Sequence, residues 1–139
     1  MRRDGTPQMS PITVSVDKDG YAVVSSRETA MKVKNLRRDP RASICVIPDP
    51  FYGVPFVQVD GEVTIVDLPD AMDGLVDYYR SISGEHPDWD DYRAAMVRDQ
   101  RCIIRISSAW ELLILAPIAR TFLFSVWEGI RAVISTACE

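Results

Sequence analysis

The chain has 139 residues, 47% of them hydrophobic and 26% charged, which is enough apolar material for one ordinary core and too much for a disordered segment. Its formal net charge of −4 argues against broad nucleic-acid binding, because a duplex binder presents a surplus of basic side chains. Three widely spaced cysteines, Cys45, Cys102 and Cys138, include no Cys-x-x-Cys pair and so suggest neither a disulfide framework nor a zinc site.

Met1-Arg2-Arg3-Asp4-Gly5 runs into polar turn residues instead of an apolar stretch, so no secretory signal is read and a reducing cytoplasm is the expected location. Residues 8–16 alternate polar and apolar positions, Asp17-Lys18-Asp19-Gly20 follows, and 21–26 reads as another strand. Two strands around an Asp/Gly turn make a β-hairpin. The basic segment from Lys32 to Arg38 is expected to form a short helix, with Thr29 as its cap and Pro40 as its stop, since the residue before a proline is pushed out of the helical region. This strand-to-helix junction is the most informative stretch of the chain. A helix N-terminus offers unpaired N–H groups and the positive end of the helix dipole, and with Lys32 and Lys34 beside it the junction suits a phosphate or carboxylate. The competing reading is a solvated surface helix whose lysines serve solubility alone.

Residues 41–47 read as a third strand. Pro48, Pro50 and Pro55 stiffen the loop that follows, and 56–66 forms a long strand with a bulge expected near Asp60-Gly61. Residues 69–83 place Met72, Leu75, Val76 and Tyr79 at helical spacing and leave Asp70, Asp73 and Asp77 outside. After Gly84-Glu85-His86, the run Pro87-Asp88-Trp89-Asp90-Asp91 opens a second helix whose core face carries Trp89, Tyr92 and Met96. With 101–106 as the last strand the order is β-β-α-β-β-α-α-β, and helices inserted between antiparallel strands imply an α+β barrel. From Ser108 the chain becomes far more apolar, but Pro117 and Arg120 interrupt it, so no membrane span is expected. The expected division is a domain over 1–107 and an apolar tail over 108–139.

Three runs carry a resemblance: Asp4-Gly5-Thr6-Pro7-Gln8-Met9-Ser10-Pro11, then Lys32 through Ser43, then Gly84-Glu85-His86-Pro87-Asp88-Trp89-Asp90-Asp91-Tyr92-Arg93-Ala94-Ala95-Met96. In this order they resemble the flavin and deazaflavin split-barrel proteins related to pyridoxamine 5′-phosphate oxidase, and within them the branch that uses the deazaflavin coenzyme F420. The resemblance covers about residues 2–107 and implies an FMN-binding-like split β-barrel with its site shared across a homodimer. It implies an oxidoreductase passing a hydride from reduced deazaflavin to an unsaturated or quinone-like small-molecule acceptor, with FMN as the alternative cofactor. Carried onto this sequence, Gln8, Ser10, Pro11 and Ile12 would line the ring, largely through backbone groups. Ser25, Ser26, Lys32 and Lys34 would hold the phosphate, Asn35 would brace the loop, and Phe56 would come from the neighbouring subunit. No catalytic acid or base is implied.

The sequence also departs from that pattern. Ala30 stands where the family has an arginine, and Arg27 is the nearest substitute. Family members begin with a helix and a strand before the Asp-Gly turn and end on a short strand with an aromatic-glycine pair, so one strand reads as missing and the tail from Ser108 as a replacement. Two alternatives follow: a cofactor-binding protein without turnover, and a degenerate relative that has lost the cofactor. Other chemistries are weaker. His86 is the only histidine and has no Cys or Ser companion at a useful spacing. Asp88, Asp90 and Asp91 suit the first turn of a helix without any metal. Met9 and Met31 are expected to serve packing.

Overall fold

The computed structural model describes residues 1–46 and 57–108 and follows the expected order of elements. These are β1 (Ser15–Val16), β2 (Ala22–Arg27), α1 (Met31–Arg38), β3 (Arg41–Val46), β4 (Val57–Val66), α2 (Met72–Ser83), α3 (Trp89–Arg98) and β5 (Arg101–Ser108). The proline loop, Phe56 and the tail from 109 lie outside the described residues. The five strands form one antiparallel sheet in the order β1-β2-β5-β4-β3, curled into a half-barrel of the split-barrel α+β type.

The first strand is shorter than its alternating pattern suggests, because only Ser15 and Val16 find partners, opposite Val23 and Ala22. Pro7 and Pro11 have no N–H to give a ladder, so residues 8–14 run beside the sheet without joining it. Gly20, at φ 85°, supplies the left-handed position that closes the hairpin.

No bulge interrupts β4, whose pairing with β3 is continuous from Arg41↔Glu62 to Val46↔Val57. Gly61 has a different purpose: a Cβ there would run into the Ser107 carbonyl oxygen, so its missing side chain lets β4 and β5 approach closely.

The pleat divides the core in two. On one face α2 and α3 bury Leu75, Val76, Tyr78, Tyr92 and Met96 against Val23 and Ile103. On the other, Val24, Ile44, Val63, Cys102, Ile104 and Ile106 close over Val33 of α1. The stripe expected of α2 is therefore present, with Tyr78 added to it, and Asp70, Asp73 and Asp77 are exposed.

Candidate functional site

The site is built at the start of α1. Its N-cap is Ala30, with φ −65° and ψ 142°, and a methyl group accepts no hydrogen bond. Thr29 does not cap the helix as its position suggests, because the Ala30 N–H turns back to the Arg27 carbonyl at 3.0 Å and leaves Thr29 inside that turn. The first-turn N–H groups of Met31, Lys32 and Val33 have no carbonyl within the helix to bond, and the first turn holds no acid. Lys32 is half-buried, Lys34 is exposed, and neither makes an ion pair among the described residues. Two residues apart, they flank the helix start instead of sharing one side of it.

The basic side chains at the other end of α1 are all engaged. Arg37 donates to Asp67 at 2.5 Å, Arg38 donates to the Asn35 side-chain oxygen at 3.1 Å and to the Met1 carbonyl at 2.6 Å, and Arg41 grips Asp39 at 2.7 Å. The Arg41 guanidinium holds the Asp39 carboxyl down at about 2. Every basic side chain in the last turn of α1 thus has a partner, a carboxylate for Arg37 and neutral oxygens for Arg38, whereas the two lysines of its first half have none among the described residues.

Asn35 is buried and donates through Nδ2 to Gln8 Oε1, so its amide ties the N-terminal segment to the helix. Beyond Gln8 the chain runs exposed through Met9, Ser10, Pro11 and Ile12 and is anchored again where Thr13 accepts the Tyr78 hydroxyl at 2.9 Å. Ser15 and Ser81 add a hydroxyl contact at 2.6 Å. Residues 9–12 therefore form a strap between two anchors, and their backbone makes no hydrogen bond among the described residues. Met9 is 92% exposed and Met31 60%, so neither serves the packing expected of it. The proline-broken strap keeps Met9 out of the sheet, and Met31 sits on the uncovered side of the helix start.

Ser25 and Ser26 are separated by the pleat: Ser26 is buried on the α1 face alongside Val24, whereas Ser25 lies on the face of Val23 and Ile103. Their side chains do not meet in one place. Phe56 lies outside the described residues.

The remaining reactive side chains serve structure. His86 Nδ1 accepts the Asp88 N–H at 3.1 Å, and its ring packs 5.2 Å from Tyr79 and 5.4 Å from Tyr92. Asp88 caps α3 by accepting the N–H groups of Asp90 and Asp91, both at 3.0 Å. Burial pushes the Cys102 thiol up to about 11, so it stays protonated and inert at neutral pH. Among the described residues no cluster of His, Cys, Asp and Glu could hold a metal ion, and no helix is long and apolar enough to cross a membrane.

The sequence model of the family described as pyridoxamine 5′-phosphate oxidase matches residues 1–113. The chain belongs to this family. Its half-barrel is accordingly of the flavin-binding, oxidoreductase type. Among solved structures it is similar to a conserved hypothetical protein from Mycobacterium tuberculosis, with a TM-score of 0.64 and 24% identity over 85% of this chain and 78% of the other. It is also similar to a protein of unknown function from Agrobacterium tumefaciens, with a TM-score of 0.57 and 12% identity over 76% of this chain and 44% of the other. At these identities the likeness speaks for the fold.

Proposed function

We propose that this family member is a cytoplasmic, homodimeric oxidoreductase of the deazaflavin-using branch, built on a unit spanning residues 1–107, that reduces an unsaturated or quinone-like acceptor. One observation carries the reading: the start of α1 leaves its amides uncapped and Lys32 and Lys34 unpaired, a donor set of the kind a phosphate requires. The strap of residues 9–12, with free backbone groups and exposed Met9 and Ile12, offers the mixed apolar and polar surface that suits a flat ring. These residues fit a phosphate-bearing flavin or deazaflavin.

When bound, the reduced coenzyme supplies the hydride, and the protein's own work is to bind and orient. Lys32, Lys34 and Ser26 hold the phosphate, while Gln8, Ser10, Pro11 and Ile12 set the plane of the ring. Asn35 fixes Gln8, and Phe56 of a second copy covers the ring against water. The proton that completes the reduction comes from solvent or from the substrate. FMN is the second reading, favoured by the match to the pyridoxamine 5′-phosphate oxidase family.

Fluorescence titration of the purified protein with coenzyme F420 and with FMN, alongside light scattering for oligomeric state, tests the proposal. Tighter binding of F420 to a dimer is the expected result. A protein that purifies yellow with FMN reverses the cofactor ranking, and binding of neither overturns the reading.

A further inference from the structure

A second charge imbalance lies on the α2 and α3 face of the sheet. Arg27 of β2 and Arg101 of β5 stand directly opposite one another across the antiparallel ladder, where like charges repel. One carboxylate serves both: Asp99 Oδ2 lies 3.4 Å from Arg27 Nη2 and 4.0 Å from Arg101 Nε. The first distance is a long hydrogen bond and the second is beyond one. The Nε of Arg101 is buried and has no hydrogen-bond partner among the described residues. A buried donor of a charged group left unsatisfied is costly, so this one lacks an acceptor that belongs there.

The surrounding groups do not provide it. Tyr78 and Tyr92 give their hydroxyl protons to the carbonyls of Thr13 and Leu75, each at 2.9 Å. Asp67 is held by Arg37 of α1. The frame is also fixed before any ligand arrives. Gln100, at φ 51°, turns the chain out of α3 into β5, and its carbonyl accepts the Glu28 N–H at 2.9 Å, which ties the turn after β2 to the turn before β5.

We infer that Arg27 and Arg101 form an oxyanion site, separate from the start of α1, that takes the phosphate or carboxylate group of a small ligand. Two guanidinium groups against one aspartate leave a single positive charge uncompensated, matched to an anion. Arg27, 59% exposed, can present its planar fork to one oxygen of such a group, and a turn of the partly exposed Arg101 side chain would uncover its Nε for a second.

The test is NMR of the full-length 15N-labelled protein, titrated at constant ionic strength with inorganic phosphate and separately with acetate, reading the Arg101 Nε–H signal. A saturable shift with phosphate alone marks a phosphate ligand, with acetate alone a carboxylate ligand, and with both a general oxyanion site; each supports the inference. Arg27→Gln should weaken the response at least tenfold, and Arg27→Lys, which keeps the charge and protects the fold, should also weaken it by removing the fork. Lys32→Ala with Lys34→Ala should leave the Arg101 response unchanged, whatever becomes of coenzyme binding. No saturable shift with either anion, or a shift indifferent to both Arg27 variants, overturns the inference.

Discussion

The two helix starts, of α1 and of α3, are opposites in how the chain treats them. At α3 the Asp88 side chain accepts two first-turn N–H groups, and Asp90 and Asp91 add negative charge at the positive end of the helix dipole. At α1 the cap is an alanine, acids are absent, and two lysines add like charge to an end that is already positive. The first arrangement is complete within the chain. The second forgoes stability that a single serine or aspartate would supply, and under the proposed function an external anion takes that place.

Four experiments break or sharpen this contrast. The largest effect is expected from Lys32→Ala combined with Lys34→Ala: each charge-assisted hydrogen bond to a phosphate contributes roughly 1.5–3 kcal/mol, so coenzyme affinity should fall by about 100-fold or more. Fluorescence titration measures it, and unchanged affinity places the phosphate elsewhere.

Asp88→Ala should destabilise the protein by about 1 kcal/mol through loss of the α3 cap, seen as a lower melting temperature, with coenzyme affinity unaltered. A fall in affinity would mean that the two helix starts are coupled. Ala30→Ser works in the opposite sense. The extended backbone of Ala30 is ready for a capping hydroxyl, so the variant should gain about 0.5–1 kcal/mol in chemical denaturation while binding the coenzyme less well, because the serine occupies an N–H the phosphate needs. Gain without loss of affinity would show that those amides are not used.

The smallest effect concerns the far end of α1. The Asp39 carboxyl is depressed from 3.8 to about 2 by Arg41, so its pairing adds stability above pH 4 that is lost as pH falls toward 2. The melting temperature of Asp39→Asn should lie slightly below that of the parent at pH 5, and the gap should close near pH 2. A gap that persists at pH 2 would assign the effect to the cap geometry instead of the charge.

Much of the fold is legible in the sequence because hydrophobic period and turn chemistry agree with it. The alternation around Asp17 to Gly20 marks the hairpin, the Leu75 and Val76 stripe marks α2, and Asp88 marks the start of α3. Where the reading misses, a tertiary condition invisible to local pattern decides. Residues 8–14 alternate like a strand but carry prolines and lack a neighbour to pair with, so β1 shrinks to two residues. Gly61 resembles a bulge residue, yet its role depends on Ser107, 46 residues further along the chain. The site was half legible. Lys32 and Lys34 announce themselves by charge, and the resemblance names Asn35 as a brace, but its bond to Gln8, 27 residues earlier, is visible only in the structure. The opposition of Arg27 and Arg101 depends on strand register, which a single sequence does not spell out.

The strand order carries a consequence for biosynthesis. β5, the last described element, lies between β2 and β4, so until residues 101–108 have left the ribosome the nascent sheet exists as two unconnected hairpins. Each then exposes an unpaired edge, of β2 in one and of β4 in the other, to any strand nearby. Closure of the barrel half is therefore a late, post-threading event that joins distant segments at once, and the vulnerable interval for misassembly ends with the arrival of Cys102 to Ile106.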